Sequence, residues 1–198
     1  MTKIIGITGG IGSGKTTVCD YLKKNNFAVH ESDKVVAQMY KNPSKSFLHF
    51  LKKNISKEVV KNNKINKQKI TDIIFNNPKT RRILEGHVHK QVKKSRDSFV
   101  KKNAKNKKGV MFIDIPLLFE NKLEKTFDVV LCVMAKKKIR RERVLKNKKF
   151  TKNIVEKIFK SQISDGERKK KSNIFVYNNT TKKDFIFSLE KALIGLLK

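Results

Sequence analysis

Near the N-terminus, Gly9 is followed after four residues by Gly14, Lys15 and Thr16. This spacing fits G-x-x-x-x-G-K-[ST], a loop that holds nucleotide phosphates when a strand precedes it and a helix follows. The glycines let the backbone curl until its N–H groups converge on an anion. The first helical turn adds unpaired donors and the helix dipole. The expected nucleotide-binding residues are therefore Gly10, Ile11, Gly12, Ser13, Gly14, Lys15, Thr16 and Thr17. Lys15 can reach the β- and γ-phosphates, and the Thr16 hydroxyl can ligate Mg²⁺.

Three classes of protein could use such a loop. A GTPase switch needs a D-x-x-G after a central strand, and "FIDIPLLFE" has no glycine at that place. "TKKD" (Thr181 to Asp184) matches a second GTPase pattern, but Thr181 and Asp184 more simply cap the last helix. A nucleic-acid ATPase would carry further strand motifs that are not evident. A small-molecule kinase needs a carboxylate base and cations from a lid. "HESDKVV" offers Asp33 just past the second apolar run, where a helix N-cap is the alternative reading. "IRRERVLKNKK" offers Arg140, Arg141 and Arg143, where a solvated helix face is the alternative. Asp114 ends the third apolar run, a place for a Mg²⁺-shell acid or for a turn former, with Pro116 fixing the chain's exit.

The formal net charge is +31. A chain this basic invites a nucleic-acid reading. Yet only seven of the cations are Arg, whose planar fork suits phosphate and base recognition. The Lys residues are spread over the whole chain, which reads as drift of solvated faces toward Lys, and no obligatory nucleic-acid partner is expected. Cys19 and Cys132 lie among apolar neighbours and have no metal-ligand spacing, as suits core residues in a reducing cytoplasm. No run of ~18 apolar residues exists, so no membrane span is expected. The short first apolar run leads into glycines, so no signal peptide is expected either.

Five apolar runs read as strands: Lys3 to Thr8, Phe27 to His30, Val110 to Asp114, Asp128 to Val133 and Asn173 to Asn178. Most are continuously hydrophobic, as strands buried on both faces are, and helical periodicity lies between them. The pattern predicts an α/β protein with a parallel sheet. The connection between the second and third runs is too long for one crossover. Its stripes at Phe47, Phe50 and Leu51 and at Ile70, Ile73 and Ile74 predict helices. So does the stretch from Pro78 to about Asn103, with Ile83, Leu84, Val88, Val92 and Phe99 facing inward. The expected division is a nucleotide-binding core of 1–33 and 105–198, with a basic lid at about 136–171, and a helical lobe of 34–104. A last helix from near Thr181 should bury Phe185, Leu189, Ala192, Leu193 and Leu196.

Taken in order, the motifs resemble those of the dephospho-coenzyme A kinase family along nearly the whole chain. "GITGGIGSGKTT" is similar to the family's opening, and "ESD" to its D-x-D stretch. "NPKTRRILEGHVHKQV" is similar to its segment ending in His-Pro, and "FIDIPLLFEN" to its most recognisable internal motif. "RRERVLK" resembles the lid, and "SQISDGERKKKSNIFVYNN" the closing segment. The resemblance implies a three-layer α/β/α phosphate-loop core with a five-stranded parallel sheet, an inserted substrate lobe and a lid. It implies transfer of phosphate from ATP, with Mg²⁺, to the ribose 3′-hydroxyl of dephospho-coenzyme A, in the cytoplasm, by a monomer or weak homo-oligomer. Another nucleoside-monophosphate or small-molecule kinase is the alternative.

Carried over residue by residue, the resemblance makes Asp33 the base or hydroxyl orienter. Lys15 holds the transferring phosphoryl group, Arg143 stabilises it from the lid, and Asn178 lies near the adenine. His89, Asp114 and Leu117 fall on the substrate side, and Thr16 and Asp114 on the metal. The chain departs from the family at Glu31, Lys90, Asn147 and Ser172-Asn173. Asn147 stands where a second lid Arg is common, and Arg140, Lys146 and Lys148 are the cations that can substitute.

Overall fold

The computed structural model describes residues 2–105, 107–147 and 150–197. The chain divides into two compact units, Met1–Glu31 with Phe99–Lys198, and Ser32–Ser98. In chain order it forms β1 (Lys3–Thr8), α1 (Lys15–Lys24), β2 (Ala28–Glu31), α2 (Ser32–Lys41), α3 (Lys45–Asn54), β3 (Val60–Lys61), β4 (Lys64–Ile65), α4 (Lys67–Asn76) and α5 (Pro78–Asn103). Then follow β5 (Val110–Asp114), β6 (Val129–Met134), α6 (Lys137–Lys146), α7 (Lys152–Ser161), α8 (Asp165–Lys171), β7 (Ile174–Tyr177) and α9 (Lys182–Leu197). The boundary between the units falls inside α5, which runs unbroken past it. Among the described residues no helix is long and apolar enough to cross a membrane.

The first unit is built on a five-stranded sheet in the order β2-β5-β1-β6-β7, and every pairing is parallel. The two-residue period of a strand sorts its side chains onto two faces. Ile5, Ile7, Val110, Phe112, Leu131 and Val133 meet Val18 and Leu22 of α1 and Phe185, Leu189 and Leu193 of α9. On the other face Ile4, Ile113 and Val130 meet Leu118, Phe119 and, from the end of α5, Phe99 and Val100. Both faces are thus apolar, which is why the strands read as unbroken hydrophobic runs. α9 begins with a reciprocal cap. The Thr181 hydroxyl donates to Asp184 Oδ2 at 2.8 Å and accepts from the Asp184 amide at 3.2 Å. The "TKKD" stretch is therefore a helix start.

The second unit has its own apolar cluster, with Phe47, Leu48, Leu51, Val59, Ile70 and Leu84 buried. The expectation of helices alone is corrected here by the small antiparallel hairpin β3–β4. Asn62 and Asn63 turn it with φ of 49° and 57°, the left-handed pair that a two-residue hairpin requires. Ile83, expected inward, is 39% exposed, whereas its neighbour Leu84 is buried, so the buried stripe of α5 is narrower than its apolar content.

His87 of α5 lies in this cluster, stacked on Phe50 with ring centroids 3.8 Å apart and on Phe47 at 5.6 Å. Its Nε2 is buried without a hydrogen-bond partner among the described residues. Burial, then Lys90 and Lys94, hold its pKa below the usual histidine value. Protonation therefore opposes folding. The stabilisation is complete above the ordinary value of ~6.5 and is lost as pH falls below it toward the depressed one. His87→Phe, which keeps the stack, is expected to lose less melting temperature than the wild type between pH 8 and pH 5.5. Equal losses would show that His87 does not carry this pH dependence.

Candidate active site

β1 ends at Thr8 and α1 begins at Lys15, so the loop of glycines joins the central strand to a helix N-terminus. Gly14 occupies the N-cap with φ 108°, a left-handed value, and no side chain caps the helix. The ladder starts with Val18 N–H donating to Gly14 O at 3.3 Å. The amides of Lys15, Thr16 and Thr17 have no helical acceptor, as at any helix start. Gly12 has φ 75°, and a Cβ there would meet Arg140 O at 2.6 Å and Val144 Cγ2 at 2.9 Å. The loop is thus a curl with donors at its mouth and no room for side chains at its rim, chemistry that fits a polyphosphate. Lys15 Nζ donates to Gly9 O at 3.0 Å. Ser13 is buried, and its Oγ has no partner among the described residues. Gly10 is buried, Ile11 and Thr17 are half-buried, and Thr16 is exposed.

Asn178, one residue past β7, is buried beneath this loop. Its Nδ2 donates to Ser13 O at 2.8 Å. Its carbonyl and Oδ1 each accept from the Arg143 guanidinium at 3.1 Å. The structure thus brings together the loop, Asn178 and Arg143, with Arg143 resting on Asn178.

Asp114, at the carboxyl end of β5, stands in register with Ile7 of β1 and with Glu31 of β2. The residue is only 7% exposed. Lys23 reaches Glu31 at 2.7 Å and Asp20 at 3.0 Å. The carboxylates make themselves felt at Cys19, whose thiol pKa is pushed up by burial first, and then by Asp114 and Glu31. Asp114 and Thr16 are hard oxygen donors of the kind Mg²⁺ prefers.

After β6, in the segment expected to form a lid, α6, α7 and α8 follow one another, and Arg141 bridges to Glu156 of α7 at 2.8 Å. Arg140 is 4% exposed. Its Nε donates to Ala135 O at 2.9 Å, and its Nη2 to both oxygens of Asp165 at 2.9 and 2.8 Å. Burial lowers its pKa, and Asp165 acts to raise it. Its Nη1 lies against Gly10, where an added Cβ would collide with it. Lys146 and Asn147 are exposed, and Lys148 lies outside the described residues.

In the second unit Asp33 is the second residue of α2 and exposed, and His89 is exposed on α5. Leu117, in the turn after β5 in the first unit, is 43% exposed. Sequence reasoning gave no role to Gln162, Asp165 or Arg168. Gln162 Oε1 accepts from the Ile11 amide at 3.1 Å, and Arg168 is buried against Asp165 at 3.0 Å. The available signal was Ser164-x-x-Glu167, which does form a reciprocal cap and sets the start of α8.

The family model described as Dephospho-CoA kinase matches residues 3–184. A dephospho-CoA kinase of Fusobacterium nucleatum is 33% identical, over 95% of each chain. Among solved structures, a Thermus thermophilus protein is 26% identical and superposes with a TM-score of 0.81, over 99% of this chain and 98% of that one. A dephospho-CoA kinase of Campylobacter jejuni, 22% identical, shares the fold at a TM-score of 0.74 over 99% and 98% of the two chains. The matched segment runs from β1 into the first turn of α9, and the chain belongs to the dephospho-CoA kinase family.

Proposed function

We propose that the protein transfers the γ-phosphoryl group of ATP to the ribose 3′-hydroxyl of dephospho-coenzyme A, giving coenzyme A and ADP. The observation that carries this reading is the uncapped, glycine-rimmed loop with Lys15, in a chain of this family. The loop amides and Lys15 hold the phosphates. The bond from the γ-phosphorus to the ADP oxygen breaks as the bond to the ribose oxygen forms, and Asp33 takes the hydroxyl proton. His89 and Leu117 contact the acceptor. Asn178 lies by the adenine, and Arg143 reaches the phosphoryl group by leaving Asn178. Thr16 and Asp114 would hold Mg²⁺, which neutralises charge on the transferring phosphate when bound. The two free thiols accord with a cytoplasmic setting.

A phosphoryl-transfer assay against dephospho-coenzyme A, AMP, CMP, shikimate and water tests the reading. ATP consumption should depend on dephospho-coenzyme A and need no nucleic acid. Preference for AMP or CMP would make the protein a nucleoside-monophosphate kinase. Equal hydrolysis without acceptor would remove the kinase reading altogether.

A further inference from the structure

The rim of the phosphate loop is covered, residue by residue, by the segment that follows β6. Gly10 lies against Arg140 Nη1, and Gly12 against the Arg140 carbonyl and Val144. Between them, the Ile11 amide donates to Gln162 Oε1. These contacts share one anionic hub. Asp165 takes Arg140 Nη2 through both its oxygens and Arg168 Nη1 at 3.0 Å. Arg168 in turn donates from Nη2 to Gln162 Oε1 at 3.4 Å, the same atom that holds Ile11. Glu120 is the other nearby acid, 3.6 Å from Arg168 and donated to by the Ile163 amide at 3.1 Å. A cavity of about 260 Å³ opens beside the cluster, lined by Arg140, Phe159, Gln162, Asp165 and Arg168 among others. Two guanidiniums with side chains 5% and 4% exposed are thus oriented by one carboxylate that water still reaches, its side chain 38% exposed.

We propose that Asp165 is a positioning residue for the phosphate loop. Through Arg140 and through Arg168–Gln162 it holds Gly10–Gly12 in the phosphate-binding curl before the nucleotide arrives. A loop fixed in advance loses less freedom on binding, so the arrangement acts on nucleotide affinity. The inference rests on the ATP-binding reading of the loop, and not on which acceptor is used.

The test uses full-length protein in two variants. Asp165→Asn keeps the shape and removes the charge. Arg140→Met with Asp165→Leu replaces that pair by apolar side chains, an exchange that can leave stability unharmed, and leaves Arg168 with Glu120 at 3.6 Å. Two readouts are taken: hydrogen exchange of the Ile11 amide in nucleotide-free protein, and the Kd for ATP without acceptor. We expect faster Ile11 exchange and a Kd raised about tenfold in both variants, the effect of losing one net hydrogen bond or so. Asp165→Glu should restore most of the affinity. If Asp165→Asn fails to fold, the double variant decides. A folded double variant with wild-type Ile11 protection and wild-type Kd overturns the proposal and leaves the cluster a structural ion pair. A wild type that binds ATP but ignores dephospho-coenzyme A would sink the proposed acceptor while leaving this comparison intact.

Discussion

Asp33→Asn is expected to lower kcat by roughly 10²–10⁴-fold, the usual loss when a positioned base is removed, while ATP affinity stays near that of the wild type. The substitution keeps the size of the side chain and takes away its basicity. Asp33 is exposed in the first turn of α2, so its replacement opens no cavity. The lost carboxylate–dipole attraction at a helix start amounts to only ~0.3–1 kcal/mol. Glu31, the neighbouring acid, is held by Lys23 at 2.7 Å and is a poor substitute. Single-turnover transfer to dephospho-coenzyme A, with ATP binding measured separately, gives the answer. If the variant keeps more than about a third of wild-type kcat, Asp33 is no base and contributes only to the helix start.

Lys15→Met should give a different signature. In the proposed reaction the lysine meets phosphate oxygens in the ground state and again as charge builds on the transferring group. Its loss should therefore weaken ATP binding about tenfold or more, since a hydrogen bond to a charged group contributes ~1.5–3 kcal/mol. It should also lower kcat by about 10²–10³-fold, as removal of a preorganised donor does. Folding should survive, because Lys15 is half-buried at the mouth of the loop and, among the described residues, its head donates to the Gly9 carbonyl at 3.0 Å. An unchanged Kd for ATP in a folded Lys15→Met protein would mean that the loop binds phosphate through its backbone alone. Together the two variants separate a group that acts on one step from a group that acts on two.

The sheet was legible because each of its strands is short, apolar and bounded by a glycine, an asparagine or a charged residue. Edges shifted by a residue: β2 runs to Glu31, which pairs with Asp114 of β5, and β6 to Met134, which pairs with Tyr177 of β7. The phosphate loop was legible because its chemistry lies in consecutive residues. The β3–β4 hairpin was not, for two-residue strands are too short to show a period, although Asn62-Asn63 between Lys61 and Lys64 was a turn signal. The Asp165 cluster was hidden for another reason. Asp165 and Arg168 share α8, but Glu120, Arg140 and Gln162 come from other stretches of the chain, and in a chain with 48 basic residues two buried arginines look like any other surface cations. Only burial tells them apart.

The order of the sheet also bears on how the chain is made. β1 is the central strand, yet its partners begin at Val110 and Val129. As the ribosome releases roughly 5–20 residues per second, β1 must wait several seconds, unpaired, while the whole of Ser32–Ser98 emerges. Ile4, Ile5 and Ile7 are meanwhile exposed on a strand with two open edges, and contacts between such distant residues form slowly. A large net charge of one sign opposes association of like chains, and that repulsion acts on copies whose first strand is still unpaired as well as on folded ones.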